Sequence, residues 1–220
     1  MPACRRCHIG NDQRGFAVAA LTPKSGPMAS PAESKTGLAA VTEAAKQAIH
    51  AGEGGRGLPP VHLWHPAHCG DIDIVIRRDG VWMHEGSPIG RAELVRLFST
   101  VLRKDADGYV LVTPGEKLSI TVEDLPFRAV AVGQRGEVLV FTTDVGDEAE
   151  AGPDHPIQVE TNPETGEPSP SVRVRADLWA RIARPVFYEL VEMARIEDGR
   201  LTVRSNGEIF ALGPVGAGVA

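Results

Sequence analysis

Residues 91–123 read RAELVRLFSTVLRKDADGYVLVTPGEKLSITVE, and this stretch decides the fold. Its first apolar residues recur at helical spacing, at Leu94, Leu97, Phe98, Val101 and Leu102. The spacing predicts a helix over 91–104, which the Asp-Gly pair at 107–108 brings to an end. Alternating residues around a Pro-Gly turn then predict two paired strands, over 109–113 and 116–123.

Residues 184–212, RPVFYELVEMARIEDGRLTVRSNGEIFAL, follow the same order. A second helix is predicted over 185–196, followed by another Asp-Gly pair at 198–199 and by strands over 201–204 and 208–212. This repeated order predicts an internal duplication. We therefore expect an α+β fold of two small lobes, each built from a strand pair, a helix and a β-hairpin.

A strand pair is predicted ahead of each helix. In the first unit, residues 71–77 alternate isoleucine with charged residues, and the chain returns over 81–84. In the second unit, strands over 127–133 and 137–143 flank a Gln-Arg-Gly turn. These pairs complete the two proposed units.

The second unit also contains an acidic segment. Residues 143–168 hold eight Asp or Glu and no Lys or Arg, which predicts an exposed loop with one short strand over 157–160. Another strand is predicted over 171–175. Asp177 is expected to cap a short helix that Pro185 interrupts, because proline lacks the amide hydrogen and clashes inside a helix.

The chain divides into three predicted parts. Residues 1–59 form an N-terminal arm that is mostly disordered, with one short helix over 38–50, because its first 35 residues are rich in Gly, Pro, Ser and Ala. The N-terminal α+β lobe covers 60–125, and the C-terminal α+β lobe covers 126–220. The ordered body is therefore expected to begin near residue 60.

Composition restricts the classes of function. The net charge of −6 argues against bulk attraction to nucleic acid or to an anionic membrane, so an anionic ligand needs a local basic site. Cys4, Cys7 and His8 match a haem-attachment pattern, but that chemistry requires export. No export signal and no apolar run of about 20 residues is present. We therefore expect a cytoplasmic protein without a cofactor.

Arginines stand at corresponding places in the two units. Arg91 and Arg184 both lie at predicted helix starts, where backbone amides and a guanidinium group bind anions. Arg173 and Arg175 share one strand face, and such close like charges require an anion or carboxylates between them. A lysine and a tyrosine that offers a stacking surface complete the set. The candidate ligand-binding residues are Arg91, Lys117, Arg173, Arg175, Arg184 and Tyr188.

Structural roles for these arginines remain open on the sequence alone. Arg91 and Arg184 would each brace their own helix start. Arg173 and Arg175 would pair with carboxylates of the acidic loop, because guanidinium groups bind carboxylates in a two-pronged geometry.

Acidic residues raise a second hypothesis. Asp71 and Asp73 share a strand face at roughly 6–7 Å, and paired carboxylates can hold Mg²⁺ or transfer protons. With Glu123 and Asp124 they suggest a metal-dependent hydrolase. The competing interpretation is a solvent-facing strand, together with a structural joint between the halves at 123–127.

Histidines near the start of the first lobe suit a zinc site by their spacing. His62, His65, His68 and Cys69 would have to converge on a loop that contains Pro66. No nucleophile motif accompanies them or any other part of the chain. We therefore predict no catalytic residue and no metal-binding residue, and we favour a protein that is not an enzyme.

Several sequence blocks resemble a known family. They are Cys69-Gly70-Asp71-x-Asp73, Glu85-Gly86-Ser87-Pro88-Ile89-x-Arg91, Leu97-Phe98-Ser99, Leu111-Val112-Thr113-Pro114-x-Glu116-Lys117, Val122-Glu123-Asp124-x-Pro126-Phe127, Ala151-Gly152-Pro153-Asp154-His155-Pro156, and Arg184 through Tyr188. Over about 61–212 the chain resembles the bacterial family catalogued as domain of unknown function 1285. The resemblance implies two lobes with a duplicated core and a C-terminal lobe loosely like the partly open barrel of pleckstrin-homology folds. It also implies a nucleotide-like or nucleic-acid-like ligand between the lobes and a role in signal transduction, with no established activity.

The sequence as a whole favours a non-enzymatic module that binds a nucleotide-like or nucleic-acid-like anion in the groove between the lobes. The metal-dependent hydrolase is one alternative. The other is a protein-interaction domain that uses the acidic loop 143–168 to contact a protein partner. No membrane partner is expected, and the oligomeric state stays open.

Overall fold

The structure, a computed structural model, describes residues 37–51, 58–66, 69–162 and 166–214. These residues form three α-helices and fifteen strands, so the α+β class is confirmed. The helices are α1 (Leu38–Ala51), α2 (Ala92–Thr100) and α3 (Arg184–Met193). None of the described helices has the length and apolar character needed to cross a membrane.

Some predictions concern residues outside these ranges. The predicted disorder of residues 1–35 and the Cys4, Cys7 and His8 pattern lie outside the described residues, as does His68. The described residues all belong to one compact unit that covers 36–220.

The first lobe is built on a six-stranded sheet. Its strands are β1 (Cys69–Ile76), β2 (Trp82–His84), β3 (Ser87–Pro88), β4 (Leu102–Asp105), β5 (Gly108–Val112) and β6 (Lys117–Val122). They lie in the order β3-β2-β1-β6-β5-β4, and only β1 and β6 run parallel. The predicted alternation in β1 is confirmed, because Ile72, Ile74 and Ile76 are buried while Asp71 and Asp73 are exposed.

Helix α2 ends earlier than its spacing predicted. The helix was expected to reach residue 104, but it stops at Thr100, and the next residues form β4. Leu102 pairs with Leu111 of β5, and this cross-strand contact buries it as completely as a helix would. Sheet pairing therefore overrode helical spacing in a segment whose apolar residues suit either structure.

Helix α1 belongs to the packed part of the protein. The helix itself was predicted, but within an arm outside the fold. Val41 and Ala45 are fully buried in the core, and α1 packs against α2. The described fold therefore begins at residue 37 rather than near residue 60.

The second lobe contains two sheets. The larger consists of β7 (Phe127–Arg135), β8 (Val138–Thr143), β9 (Glu148–Glu150), β10 (Ile157–Thr161), β11 (Pro168–Arg175) and β12 (Leu178–Ile182). Its order is β10-β11-β12-β7-β8-β9, and only β12 and β7 run parallel. The smaller sheet is an antiparallel meander of β13 (Arg195–Glu197), β14 (Arg200–Ser205) and β15 (Glu208–Pro214).

Three predictions in the second lobe were wrong. The helix expected over 185–196 ends at Met193, and Arg195–Glu197 form β13. The short helix expected from Asp177 is strand β12, in which Leu178, Ala180 and Ile182 are buried and the residues between them are half-buried. That alternation has the period of a strand and not of a helix. The acidic segment 143–168, expected to be a loop with one strand, contains β9 and β10 and the start of β11.

Both lobes carry a helix followed by a three-stranded meander. Gly108 is the first residue of β5 and Gly199 lies in the turn just before β14, and both have positive φ. The surroundings differ, however. Strand β6 pairs with β1 and so joins the large sheet, whereas β15 pairs only with β14 in the part of the chain that the structure describes. The internal duplication therefore stays a prediction.

We expect Ala45→Glu to destabilise the protein by about 3 kcal/mol or more, because it places a charge in the closed core. Ala40→Glu is the matched control on the exposed face of α1, and it should change stability by less than about 0.5 kcal/mol. Urea denaturation of both variants measures the difference. Equal midpoints for the two variants would contradict the packing of α1 against the core.

Candidate ligand site

The joint between the lobes is built around Arg175, one of the predicted ligand-binding residues. Its guanidinium carbon lies 4.9 Å from the ring centroid of Phe127, which is fully buried. Arg175 and Asp147 both belong to the second lobe, and the same guanidinium forms an ion pair with the Asp147 carboxylate. It also donates a hydrogen bond of 2.6 Å to the carbonyl oxygen of Ser99, in the last turn of α2.

These partners account for the charge of Arg175. Asp147 supplies a full negative charge, and the end of a helix supplies carbonyl oxygens that favour a cation. Only 18% of the Arg175 side chain is exposed, so the guanidinium is held largely away from water. Arg175 therefore connects the lobes, and its binding capacity is used within the protein.

Further contacts cross the same joint. The Nε of Arg96 in α2 donates a hydrogen bond of 2.9 Å to the carbonyl oxygen of Val145 in the second lobe. Gly80, in the turn between β1 and β2, approaches the second lobe so closely that a Cβ atom there would lie 2.8 Å from Asp144 and from Arg128. The two lobes are thus held at several points by their own polar groups.

The segment 123–127 has the structural role that its sequence suggested. Glu123 accepts a hydrogen bond of 2.9 Å from the backbone amide of Arg78. Asp124 accepts two hydrogen bonds from Arg181, of 2.9 and 2.7 Å, in a two-pronged arrangement. Phe127 at its end is buried in the core.

The remaining predicted residues lie in separate places. Arg173 bonds to the carbonyl oxygen of Ala176 and pairs with Asp177 at 3.7 Å. Arg184 is the first residue of α3 and pairs with Glu167 at 3.2 Å. Electrostatic interactions raise the pKa of the exposed Arg184 guanidinium, with the largest effect from Tyr188 and the next from Glu167.

The predicted set therefore does not converge on one ligand. Glu167, the partner of Arg184, precedes β11, whereas Arg175 ends it. A strand of eight residues spans roughly 25 Å, so Arg184 and Arg175 cannot contact the same small anion. Arg91 is the exposed N-cap residue of α2, and its side chain forms no hydrogen bond or ion pair with the described part of the chain.

The carboxylates of the hydrolase hypothesis are also dispersed. Asp71 and Asp73 are exposed on β1, while Asp124 is bound to Arg181. Within the described ranges, no three His, Cys, Asp or Glu side chains are placed to hold one metal ion. His62 and His65, considered for zinc, instead lie beside two cationic side chains.

A cavity of about 410 Å³ lies beside these histidines, between the loop 58–66 and strands β4 and β6. Its lining residues are His62, His65, Pro66, Arg103, Asp105 and Lys117. Such a volume falls within the range of small-ligand pockets, roughly 300–1,000 Å³. Lys117 is thus one predicted ligand-binding residue that lines a cavity; we call this the loop–sheet cavity.

Arg103 holds the wall of the loop–sheet cavity in place. Its Nη1 donates to the carbonyl oxygens of Val61 and Trp64, at 2.7 and 2.8 Å. Its Nε and Nη2 donate to the two carboxylate oxygens of Asp105, at 2.6 and 3.0 Å. The loop is therefore fixed to β4 by one guanidinium group whose donors are almost all used.

Lys117 shares the same carboxylate. Its ammonium group lies 3.3 Å from Asp105, with 28% of the side chain exposed. Hydrogen bonds from Arg103 hold the pKa of the Asp105 carboxyl below its usual value, against the opposing effect of desolvation. Two cations thus surround one ionised carboxylate, which leaves a positive balance. An ammonium group has three donors, so Lys117 keeps donors for a ligand.

Sequence reasoning missed Arg103 and Asp105. Arg103 fell at the end of the predicted α2 helix, and Asp105 fell just beyond it. In β4 they are two residues apart and share a face. The alternation Arg-x-Asp was the available signal, on a strand that β5 separates from the strand of Lys117.

Arg175→Met should destabilise the protein by about 3 kcal/mol, because it leaves the Asp147 carboxylate without its cation. Arg173→Met, two residues earlier on β11, is the matched control and should cost no more than about 1 kcal/mol, since its ion pair is exposed. Chemical denaturation measures both values. A loss for Arg175→Met no larger than that of the control would contradict the role of Arg175 in the joint.

Comparisons with known proteins agree with this architecture. Two family models match the chain. Residues 59–125 match the N-terminal domain of a family described as a domain of unknown function, DUF1285. Residues 126–212 match the C-terminal domain of the same DUF1285 family, described as a protein of unknown function. A comparison with curated proteins found no match.

Two crystal structures of DUF1285 family proteins resemble this chain. That from Silicibacter pomeroyi DSS-3 is 47% identical, covers 81% of this chain and 96% of its own, and has a TM-score of 0.71. That from Shewanella baltica OS155 is 25% identical, covers 54% of this chain and 90% of its own, and has a TM-score of 0.46. Because the two family models together span more than half of the chain, this protein belongs to the DUF1285 family, as its sequence blocks predicted.

Proposed function

We propose that this protein is a non-enzymatic module that binds a small anion, such as the phosphate group of a nucleotide or of a nucleic acid end, in the loop–sheet cavity. The observation that carries the proposal is the sharing of Asp105 by Arg103 and Lys117 at the cavity wall. Two cations around one carboxylate leave an uncompensated positive charge, which an anionic ligand would balance.

The surroundings support an anion as the ligand. His62 and His65 add two imidazole rings to the same wall. A neutral imidazole can donate one hydrogen bond, and a protonated one donates two. Lys117 contributes remaining ammonium donors at a site that is only partly exposed, where a charge-assisted hydrogen bond is stronger than in water.

The position differs from the groove that the sequence suggested. Around Arg175 the joint is occupied by Phe127, Asp147 and the end of α2. The loop–sheet cavity belongs to the first lobe, and its wall depends on the loop that Arg103 fixes. We therefore assign ligand contact to Lys117 and a supporting role to Arg103.

The finer architecture and the cellular role belong to the same proposal. We propose that the two helix-and-meander units descend from one duplicated unit, and that the C-terminal lobe is a pleckstrin-homology-like partly open barrel. The shared order of elements supports the duplication, as does a positive-φ glycine at or just before the second strand of each meander, Gly108 and Gly199. A cytoplasmic binding module that acts in signal transduction is consistent with an anion site that needs no catalytic group.

Isothermal titration calorimetry at low salt, with AMP, ADP, inorganic pyrophosphate and a 5′-phosphorylated dinucleotide, tests the proposal. Lys117→Met should weaken binding of the best of these ligands about tenfold or more, because it removes a charge-assisted hydrogen bond of about 1.5–3 kcal/mol. EDTA should leave the affinity unchanged, and added salt should lower it.

Arg184→Met and Arg91→Met are the matched controls, because each removes a predicted cation that lies away from the cavity. Both should bind like the parent protein. Undiminished binding by Lys117→Met, or an equal loss in either control, would show that the anion binds elsewhere. Absence of binding by all four ligands would reject the anion-binding function.

A further inference from the structure

Strand β7 has an open edge over most of its length. Strand β12 pairs with it only at Phe127–Ala129, and β12 then ends at Ile182. The next amide, that of Ala183, donates to the carbonyl oxygen of Ala129, and the chain turns into α3. Over 130–135, β7 is paired with β8 on one side, and none of the described strands pairs with it on the other.

The open edge is unusually accessible. Six residues of strand extend for about 20 Å, and their sequence, Val-Ala-Val-Gly-Gln-Arg, has no lysine or proline. Natural edge strands are usually protected by such residues or by short length. Val130 is 49% exposed, and a Cβ atom on Gly133 would meet nothing within 4 Å. The sheet faces at residues 130 and 133 are therefore uncovered, although α3 also contacts β7.

A hollow of about 440 Å³ adjoins the end of this edge. Its floor includes Leu139 and Val203, which are each 3% exposed, and Met193 lies at its side with 40% of its surface exposed. The hollow can therefore receive an apolar side chain from a segment that lies along β7. We call the open edge and the hollow together the β7 docking site.

The rim of the hollow determines the charge of its partner. Glu137 and Glu208 line it, and neither carboxylate has a partner in the described part of the chain. Arg204 is already paired with Glu197 at 2.9 Å, which leaves Arg195 as the rim cation. The rim therefore carries these two unpaired carboxylates and one guanidinium, which leaves a net negative charge. Such a rim favours a partner that has Lys or Arg beside its apolar residue.

We propose that the β7 docking site adds a strand from a partner protein, an extended segment with one apolar anchor flanked by basic residues. Main-chain hydrogen bonds to 130–135 would hold the segment, and the hollow would select its side chain, as in other strand-addition complexes. The site lies in the second lobe and is independent of the loop–sheet cavity.

A second copy of this chain fits the site less well. The basic residue of the β7 edge is Arg135, whose guanidinium already binds Glu150 at 3.1 Å and Glu148 at 3.2 Å. Pairing of two β7 edges would therefore bring no free cation to Glu137 or Glu208.

Synthetic decapeptides of alternating Thr and Val, with a central Leu flanked by two Lys, test this proposal on the full-length chain. Fluorescence anisotropy should detect binding, and hydrogen exchange should show new protection of backbone amides within 130–135. A peptide with Glu in place of Lys should bind about tenfold more weakly or worse, by loss of roughly 1.4 kcal/mol of charge complementarity. A peptide with Pro at alternate positions should not bind, because it lacks the amide donors.

Variants of the protein locate the binding. Glu137→Lys and Met193→Asp should each weaken binding of the Lys peptide at least tenfold, while Val81→Asp, at another exposed valine in the first lobe, should leave it unchanged. Circular dichroism checks that each variant is folded. The proposal is overturned if binding leaves the 130–135 amides unprotected, or if the Glu peptide binds equally well. It is also overturned if these amides are already protected in a homodimer, or if no peptide binds.

Discussion

The arrangement of the two lobes depends on the guanidinium group of Arg175. It lies over the ring of Phe127, pairs with Asp147 and donates to the carbonyl oxygen of Ser99 at the end of α2. A charge held this far from water is tolerated only when its partners are fixed around it. Arg175 therefore helps to fix α2 relative to the second lobe, together with Arg96 of the helix itself.

This constraint separates structure from function among the cations. Arg175 and Arg181 use their donors inside the protein, on Asp147 and Asp124. Lys117 lies elsewhere, beside a cavity and with donors to spare, and it shares its carboxylate with Arg103. The proposed anion site follows from this unequal distribution of carboxylates and not from the number of basic residues. The β7 docking site follows from a similar imbalance, because a strand edge and two carboxylates there have no partners among the residues that the structure describes.

Local patterns in the sequence predicted local structure well. The alternation in β1, the hairpins and the presence of all three helices follow from side-chain period and turn residues. The end of the predicted helix was misplaced at Leu102, where apolar residues spaced for a helix are buried by pairing with β5, which the spacing within 91–104 does not encode. At Leu178 the error was different, because the residues there already alternate with the period of a strand. The error at Leu102 also hid Arg103 and Asp105, whose shared face exists only in a strand.

Residue type identified Arg175 as important but left its partner open. Two arginines on one strand face require negative charge nearby, and both an anionic ligand and the acidic segment could supply it. The structure places Asp147 and Asp177 beside them. The segment 123–127 was easier to interpret, because a proline and a large aromatic residue between two repeated units have few roles other than a structural joint.

Differential scanning calorimetry of the full-length protein tests the central claim most directly, because it reports whether two lobes unfold together. If the joint around Arg175 couples them, the protein should unfold in one transition, with a calorimetric enthalpy equal to the van't Hoff enthalpy. Two resolved transitions in the parent protein, or a calorimetric enthalpy well above the van't Hoff value, would show that the lobes are thermodynamically independent and would contradict the account.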